Sequence, residues 1–297
     1  MKPLNFKAWQ TKVQAQTEMA LNRFLPSETL SPEILHQAMR YAATGGGKRL
    51  RAMLVTAAAE LGRYDETALS QAIAAIEMIH AYSLIHDDLP CMDDDDMRRG
   101  KPSCHKAFGE AQALLAGDAL QTLAFAVLSQ DNALPAYQRL QSLRTLANAS
   151  GSLGMAGGQS IDLSVVGLLP DLPALKNMHA LKTGALIRAS VRLGALACFD
   201  VADDMLQKLD DYAADLGLAF QVVDDILDAQ ADSQVLGKTA GKDAENNKPS
   251  FVSFMGIDAA KQYAHDLCQR AIHSVQNISA DTHILQEMAR FVLEREN

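Results

Sequence analysis

Two acidic clusters carry the strongest chemical signal in this chain. Asp87-Asp88-Leu89-Pro90-Cys91-Met92-Asp93 and Asp224-Asp225-Ile226-Leu227-Asp228 each follow an apolar stretch of helical character. Each therefore places carboxylates at the end of a buried wall. Facing one cavity, two such clusters would hold hard divalent cations, and the cations would hold a polyphosphate. Oxygen ligands suit Mg²⁺, which dehydrates reluctantly and binds through one or two carboxylates plus substrate phosphates.

In the second cluster Asp224 and Asp228 share one helix face, with Gln221 beside them. Like charges at that spacing repel, so the helix loses stability unless cations compensate. A solvated acidic face is the plain alternative, but Val222, Val223, Ile226 and Leu227 make this a mostly buried helix. In the first cluster Pro90 has no N–H and clashes with the preceding turn. The helix should end or kink after Asp88, curling Asp93 back toward Asp87. The run Asp93 to Asp96 could be a charged loop, yet Arg98, Arg99 and Lys101 follow at once. Acid then base in one short stretch fits a metal–diphosphate site better than a solvated face.

Three weaker signals lie elsewhere. Gly45-Gly46-Gly47-Lys48-Arg49-Leu50-Arg51 precedes a helix, where glycines let backbone amides approach an anion. It is not a Walker loop, and a plain linker would look the same. His80 lies on the face of Asp87, where a lone histidine is ordinarily a core residue. Lys182-Thr183-Gly184 interrupts an apolar helix; the lysine could snorkel or complete a diphosphate clamp. Asp162, after Gly157-Gly158-Gln159, reads equally as a cap or a ligand.

The elements that must position these groups are helical. Hydrophobic residues make up 48% of 297 and aromatics only 5%, with alanine and leucine dominant. Apolar positions recur at three- and four-residue spacing over Phe6–Phe24, Pro32–Ala43, Leu50–Leu61, Ala68–Leu89, Ala111–Leu128, Ala136–Gly151, Ala174–Leu196, Met205–Ala229 and Lys261–Ser274. Ser31 and Pro32 read as N-cap and first-turn proline, and Pro173 as another first-turn proline. The pattern predicts one all-α domain over residues 1–297 with an apolar centre. One long connection, Asp232 to Pro249, carries lysines that favour a functional loop.

Composition excludes other classes. A formal net charge of −9 argues against general nucleic-acid binding. Cys91, Cys104, Cys198 and Cys268 lack CxxC spacing and read as reduced thiols. The first sixteen residues lack a signal-like apolar core, and Asp118 and Gln121 interrupt the most apolar run, so no membrane-spanning helix is expected. The expectation is a soluble cytoplasmic protein.

Together these residues resemble the trans-isoprenyl diphosphate synthases, most closely the bacterial short-chain farnesyl diphosphate synthases. The resemblance runs from about Gly45 to Phe251 through GGGKRLR, IHAYSLIHDDLPCMDDDDMRRGKPSCH, GEAQALLAGDAL, HALKTGALIRASVRLGA, GLAFQVVDDILD and LGKTAGKDAENNKPSF. It implies an all-α barrel of antiparallel helices around a central pocket, usually a homodimer. It implies that Asp87, Asp93 and Asp224 ligate a Mg²⁺ cluster (Mn²⁺ as substitute), supported by Asp88, Asp225 and Asp228. Lys48, Arg51, His80 and Arg99 would hold isopentenyl diphosphate. Arg98, Lys182, Thr183, Gln221, Lys238 and Lys248 would surround the allylic diphosphate. Two departures stand out: Ala52 replaces the proline usual after KRLR, which would loosen that helix start, and Pro249-Ser250 stands where a small residue and threonine are common.

The chemistry implied is ionisation of the allylic diphosphate, attack by the double bond of isopentenyl diphosphate, and loss of a proton to the departed diphosphate. Tyr82 lies about 7.5 Å below Asp87 at 1.5 Å per residue, with Ser83 beside it. In the resembling family an aromatic here goes with fifteen-carbon products. The alternatives are a geranylgeranyl diphosphate synthase, a terpene cyclase (which has no need of GGGKRLR and His80), and a non-catalytic regulatory subunit, which should have lost one acidic motif.

Overall fold

The computed structural model describes residues 5–165, 171–235 and 250–295. Among these the chain is all-α, apart from one two-strand hairpin and a single bridge between Tyr64 and Cys198. It divides into two compact units, Met1–Leu146 with Leu193–Asp200 and Ala147–Arg192 with Val201–Asn297.

The first unit contains α1 (Phe6–Phe24), α2 (Glu33–Ala43), α3 (Leu50–Ala59), α4 (Glu66–Asp87), the hairpin of β1 (Met97–Arg98) and β2 (Lys101–Pro102), α5 (Cys104–Phe108), α6 (Glu110–Ser129) and most of α7 (Ala136–Ser150). Side chains cap the starts of two of these helices. Asn5 accepts from the Lys7 and Ala8 N–H groups, and Asp65 accepts from Ala68 N–H at 2.8 Å. The start of α2 differs from expectation. Pro32, not Ser31, is its N-cap, because the Pro32 carbonyl accepts the first helical bond from His36 while its own backbone stays extended. The core is built on α3 and α4, whose alanines and branched residues are buried on nearly every side.

α4 and α6 are each long and apolar enough to cross a membrane by length and composition. Asp118 and Gln121 thus do not take α6 outside that range, contrary to expectation. The apolar window of α4 is 78% buried within the protein, as a core helix should be, whereas that of α6 is only 39% buried.

The second unit contains α8 (Met155–Ser164), α9 (Leu172–His179), a π-helical turn (Ala180–Gly184), most of α10 (Ala185–Leu196), α11 (Asp203–Val235), α12 (Phe251–Met255), α13 (Ile257–Val275) and α14 (His283–Glu294). The helix expected over Ala174–Leu196 is therefore three pieces, with the wide π turn falling on Lys182-Thr183-Gly184. Asp171 caps α9 through Ala174 N–H at 2.8 Å, and Pro173 sits in its first turn as expected. The buried Tyr212 hydroxyl donates to the Leu285 carbonyl at 2.7 Å, tying α11 to α14. α11 continues past Ala229, since nothing from Gln230 to Val235 breaks a helix.

Candidate active site

In the first unit, helix α4 ends where Pro90 requires. Asp88 is its C-cap, and the Asp93 N–H donates to the Asp87 carbonyl at 2.8 Å. The chain thus curls back on itself and brings Asp93 to Asp87. Asp88 is buried at 2% exposure and ion-paired with Arg98, whose Nε donates to Asp88 Oδ1 at 3.0 Å. That partner raises the Arg98 pKa further. Arg98 also reaches Asp95 at 3.3 Å. The reading that gave Arg98 to a diphosphate therefore meets an arginine already positioned by the first acidic motif.

The hairpin turns this acid–base stretch back toward the glycine loop. Arg99, with φ of +53°, donates from Nη1 to the Gly46 carbonyl at 3.1 Å. Burial and the charge of Arg49 lower its pKa. His80 lies in the same field. Burial first, then Arg51, Arg99, Arg49 and Arg98, push its imidazole well below its ordinary value, so it stays neutral. The structure thus brings together His80, Arg51 and Arg99, while Lys48 stands exposed at the loop. Such a gathering of positive charge is unfavourable unless an anion shares it. A solvent-open cleft of about 430 Å³ runs past Gly45, Asp88, Arg98, Arg99, Lys101 and Tyr41.

Sequence reasoning missed the residue that organises this loop. Arg49, 6% exposed and in the left-handed region, pairs with Glu77 at 2.8 Å and Glu18 at 2.5 Å. Glu77, 2% exposed, also accepts from the Ala52 N–H at 3.2 Å. The expected loosening of α3 by Ala52 is thus corrected: the N–H that a proline would lack is capped by a carboxylate. Glutamate in an apolar helix was the available signal.

Tyr82, at 7% exposure, meets the His86 ring edge-on at 5.7 Å. Burial pushes its hydroxyl pKa up, and the charge of Asp87 adds to that push. Ser83 Oγ donates to the His80 carbonyl at 2.9 Å. Asp94, Asp96 and the buried His105 also bring ligand atoms within 4.8 Å of one another, but Lys106 already holds Asp96 at 2.7 Å.

In the second unit, Lys182 does not snorkel. Its ammonium pairs with Asp162 at 2.6 Å, which settles Asp162 as its partner. A Cβ at Gly158 would meet the Lys182 backbone nitrogen at 2.1 Å, so α8 and the π turn approach closely there. The Thr183 hydroxyl donates to Gln221 Oε1 at 2.5 Å. Asp224 pairs with Arg295, and Asp225 accepts from the Phe251 N–H at 2.6 Å. Burial, together with the charges of Asp224 and Asp228, pushes the Asp225 carboxyl up to about 7 against that hydrogen bond. Three acids so crowded, all oxygen donors on one helix, fit a hard divalent cation. Lys238, Lys248 and Pro249 lie outside the described residues, while Ser250 forms a capping box with Ser253 at the start of α12.

Burial makes three of the four cysteines poor nucleophiles. Burial pushes the thiols of Cys104 and Cys198 up to about 11 and that of Cys268 to about 12, while Cys91 is exposed.

Comparison with known proteins agrees with this geometry. A family model described as polyprenyl synthetase matches residues 32–288. The chain is 46% identical over 286 residues to the farnesyl diphosphate synthase of Escherichia coli strain K12, covering 94% of this chain and 95% of that one. It is 42% identical over 282 residues to geranylgeranyl pyrophosphate synthase 11, chloroplastic, of Arabidopsis thaliana, covering 93% of this chain and 78% of the other. Among solved structures, an FPP/GFPP synthase from Zymomonas mobilis superimposes with a TM-score of 0.87 at 40% identity, covering 97% and 99%.

Proposed function

The chain belongs to the polyprenyl synthetase family, and from that premise we propose that it is a divalent-metal-dependent prenyltransferase making farnesyl diphosphate. It condenses isopentenyl diphosphate with dimethylallyl and then geranyl diphosphate. The observation that carries the product is Tyr82, a buried aromatic ring on α4 below Asp87. The near full-length identity to bacterial farnesyl diphosphate synthases supports the same product.

The site assignments follow from the two sets of groups. Lys48, Arg51, His80 and Arg99 hold isopentenyl diphosphate. Arg98, Lys182, Thr183, Gln221, Lys238 and Lys248 serve the allylic partner. Asp87, Asp93 and Asp224 hold Mg²⁺, or Mn²⁺ in its place, with Asp88, Asp225 and Asp228 in support. In this reading the two units act as one domain over 1–297 in a cytoplasmic homodimer. The exposed Leu114 and Leu115 of α6 are apolar surface that a second copy would cover.

Bound divalent ions supply charge neutralisation for the leaving diphosphate. The chain's own residues do the rest. Lys182, fixed by Asp162, and Arg98, fixed by Asp88, are donors oriented before reaction, so they need no reorganisation as charge develops on the leaving oxygen. The allylic C–O bond breaks with its electron pair going to the diphosphate. The isopentenyl double bond then attacks the allylic cation, and a proton passes to the departed diphosphate. His80, held neutral, can donate to a phosphate oxygen without adding another buried charge.

A second reading, geranylgeranyl diphosphate synthesis, is supported by the Arabidopsis relatives. Labelled isopentenyl diphosphate with each allylic primer, followed by chain-length analysis, separates the two. Fifteen carbons supports the proposal, twenty supports the second reading, and no turnover with any primer supports a regulatory subunit.

A further inference from the structure

The glycine loop that leads into Lys48 and Arg51 has no shape of its own. Gly45, Gly46 and Gly47 take φ of +83°, +117° and +110°, values that residues with a Cβ rarely adopt. Glycines lose more freedom on ordering than any other residue, so the loop must be held from outside.

One carboxylate on α1 touches both ends of it. Glu18 Oε1 accepts from Arg49 Nη2 at 2.5 Å and from Arg49 Nε at 3.2 Å. Its Oε2 accepts from the Gly45 N–H at 3.4 Å. Glu18 thereby closes Gly45 to Arg49 across the base of the loop, with Lys48 inside the closure and Arg51 two residues beyond. Arg49 sits at φ +53°, a strained place for a residue with a Cβ, and is kept there by Glu77 at 2.8 Å and the Ala43 carbonyl at 2.9 Å. On its other side the loop meets Arg99, which donates to the Gly46 carbonyl at 3.1 Å. A Cβ at Gly47 would lie 3.0 Å from Arg99 Cζ, so loop and arginine are already in contact.

Charge alone gives Glu18 the wrong sign for this neighbourhood. A carboxylate near an anion site repels the anion, so its removal should tighten binding. Preorganisation acts the other way, because a loop already held in its binding shape costs less to order when the ligand arrives. The two effects are opposite, which makes the role of Glu18 decidable.

We propose that Glu18 is a positioning residue for isopentenyl diphosphate: it staples the glycine loop at Gly45 and Arg49 and so presents Lys48 and Arg51 to the diphosphate. This role rests on the loop being the isopentenyl diphosphate site, as assigned above.

The test measures isopentenyl diphosphate binding by titration calorimetry, and KM for both substrates, in wild type, Glu18→Gln, Glu18→Asp, Trp9→Phe and Lys48→Ala. Glutamine keeps the length and removes the charge, whereas aspartate keeps the charge and is too short to reach both ends. Trp9→Phe removes the 2.9 Å bond from Trp9 Nε1 to Glu60, which ties α1 to the end of α3 without touching the loop. It controls for a loosened α1. Circular dichroism and melting temperature verify each fold, and either Glu18 variant carries the test if the other is unfolded. Both Glu18 variants should weaken isopentenyl diphosphate about tenfold, in Kd and KM alike, and leave the allylic KM within about twofold. Trp9→Phe should lower the melting temperature and leave both affinities at the wild-type level.

An unchanged or tighter affinity in a folded Glu18 variant overturns the staple, while a loss in Lys48→Ala leaves the loop standing as the site. Equal losses for both substrates, or losses matched by Trp9→Phe, would reduce Glu18 to general stability and overturn its positioning role. A Lys48→Ala protein that binds isopentenyl diphosphate as wild type does overturns the loop assignment itself.

Discussion

Arg295 is ion-paired with Asp224, and its guanidinium lies over the Phe220 ring at 3.8 Å from the centroid. The pair joins the residue just after α14 to the first carboxylate of the second acidic motif. Its Nη2 also reaches the Phe220 carbonyl at 3.4 Å. An oxygen engaged by a guanidinium is a poorer ligand for a cation, so this arginine competes with any metal for Asp224.

Arg295→Ala should therefore bind metal more tightly. Charge-assisted hydrogen bonds contribute about 1.5–3 kcal/mol, so the half-saturating Mn²⁺ concentration should fall by about 10- to 150-fold. Titration followed by the paramagnetic resonance of free Mn²⁺ measures this without turnover. An unchanged or weaker affinity would contradict the competition.

Asp87→Ala and Asp224→Ala should each lower turnover by about 100- to 1,000-fold, the usual cost of one oriented electrostatic group. Far-UV circular dichroism should stay at the wild-type level. Near-normal turnover in either variant would sink the two-motif metal site.

The basic residues should divide by substrate. Alanine at Lys48, Arg51 or His80 should raise the KM for isopentenyl diphosphate by about 10- to 100-fold and leave the allylic KM within a few-fold. Lys182→Ala should do the reverse, and Asp162→Asn should follow it in weaker form, because Asp162 orients that lysine. Equal losses for both substrates in every variant would dismiss the assignment.

Asp225 gives a stability signature in pH. Its folded carboxyl is raised to about 7, above an ordinary value near 4, so the folded protein holds the proton more tightly than the unfolded chain. That contribution is complete below about pH 4 and is lost as pH rises through about 7. Relative to Asp225→Asn, the wild type should lose roughly 2–4 kcal/mol of stability across that window, read by urea unfolding at several pH values. Saturating Mg²⁺ with inorganic diphosphate should flatten the trend, since a cation favours the carboxylate. A flat difference without metal would remove the basis of the shift.

What the sequence made legible was local. Pro90 announced the end of α4 and the return of Asp93, and the spacing of Asp224 and Asp228 announced a shared face. The field around His80 was legible only in part, through the residue types of the glycine loop. Three features depended on tertiary contacts. The Lys182–Asp162 pair forms across a close approach at Gly158, and the π turn that presents Lys182 has no period of its own. The Arg295–Asp224 pair joins residues far apart in the chain, which no spacing rule links. α8 escaped because Gly157 and Gly158 depress helix propensity, a cost that packing against the π turn overrides. α14 did carry a readable apolar stripe at Ile284, Leu285, Met288, Ala289 and Val292.

The Glu77 node also constrains how this chain can change. One carboxylate oxygen holds Arg49 and the other holds the Ala52 N–H, so both are committed. Installing proline at position 52 would delete a donor and leave one buried oxygen unsatisfied. Such a substitution is costly in this background, and the cost should fall on the posture of Lys48 and Arg51 before it reaches the global fold.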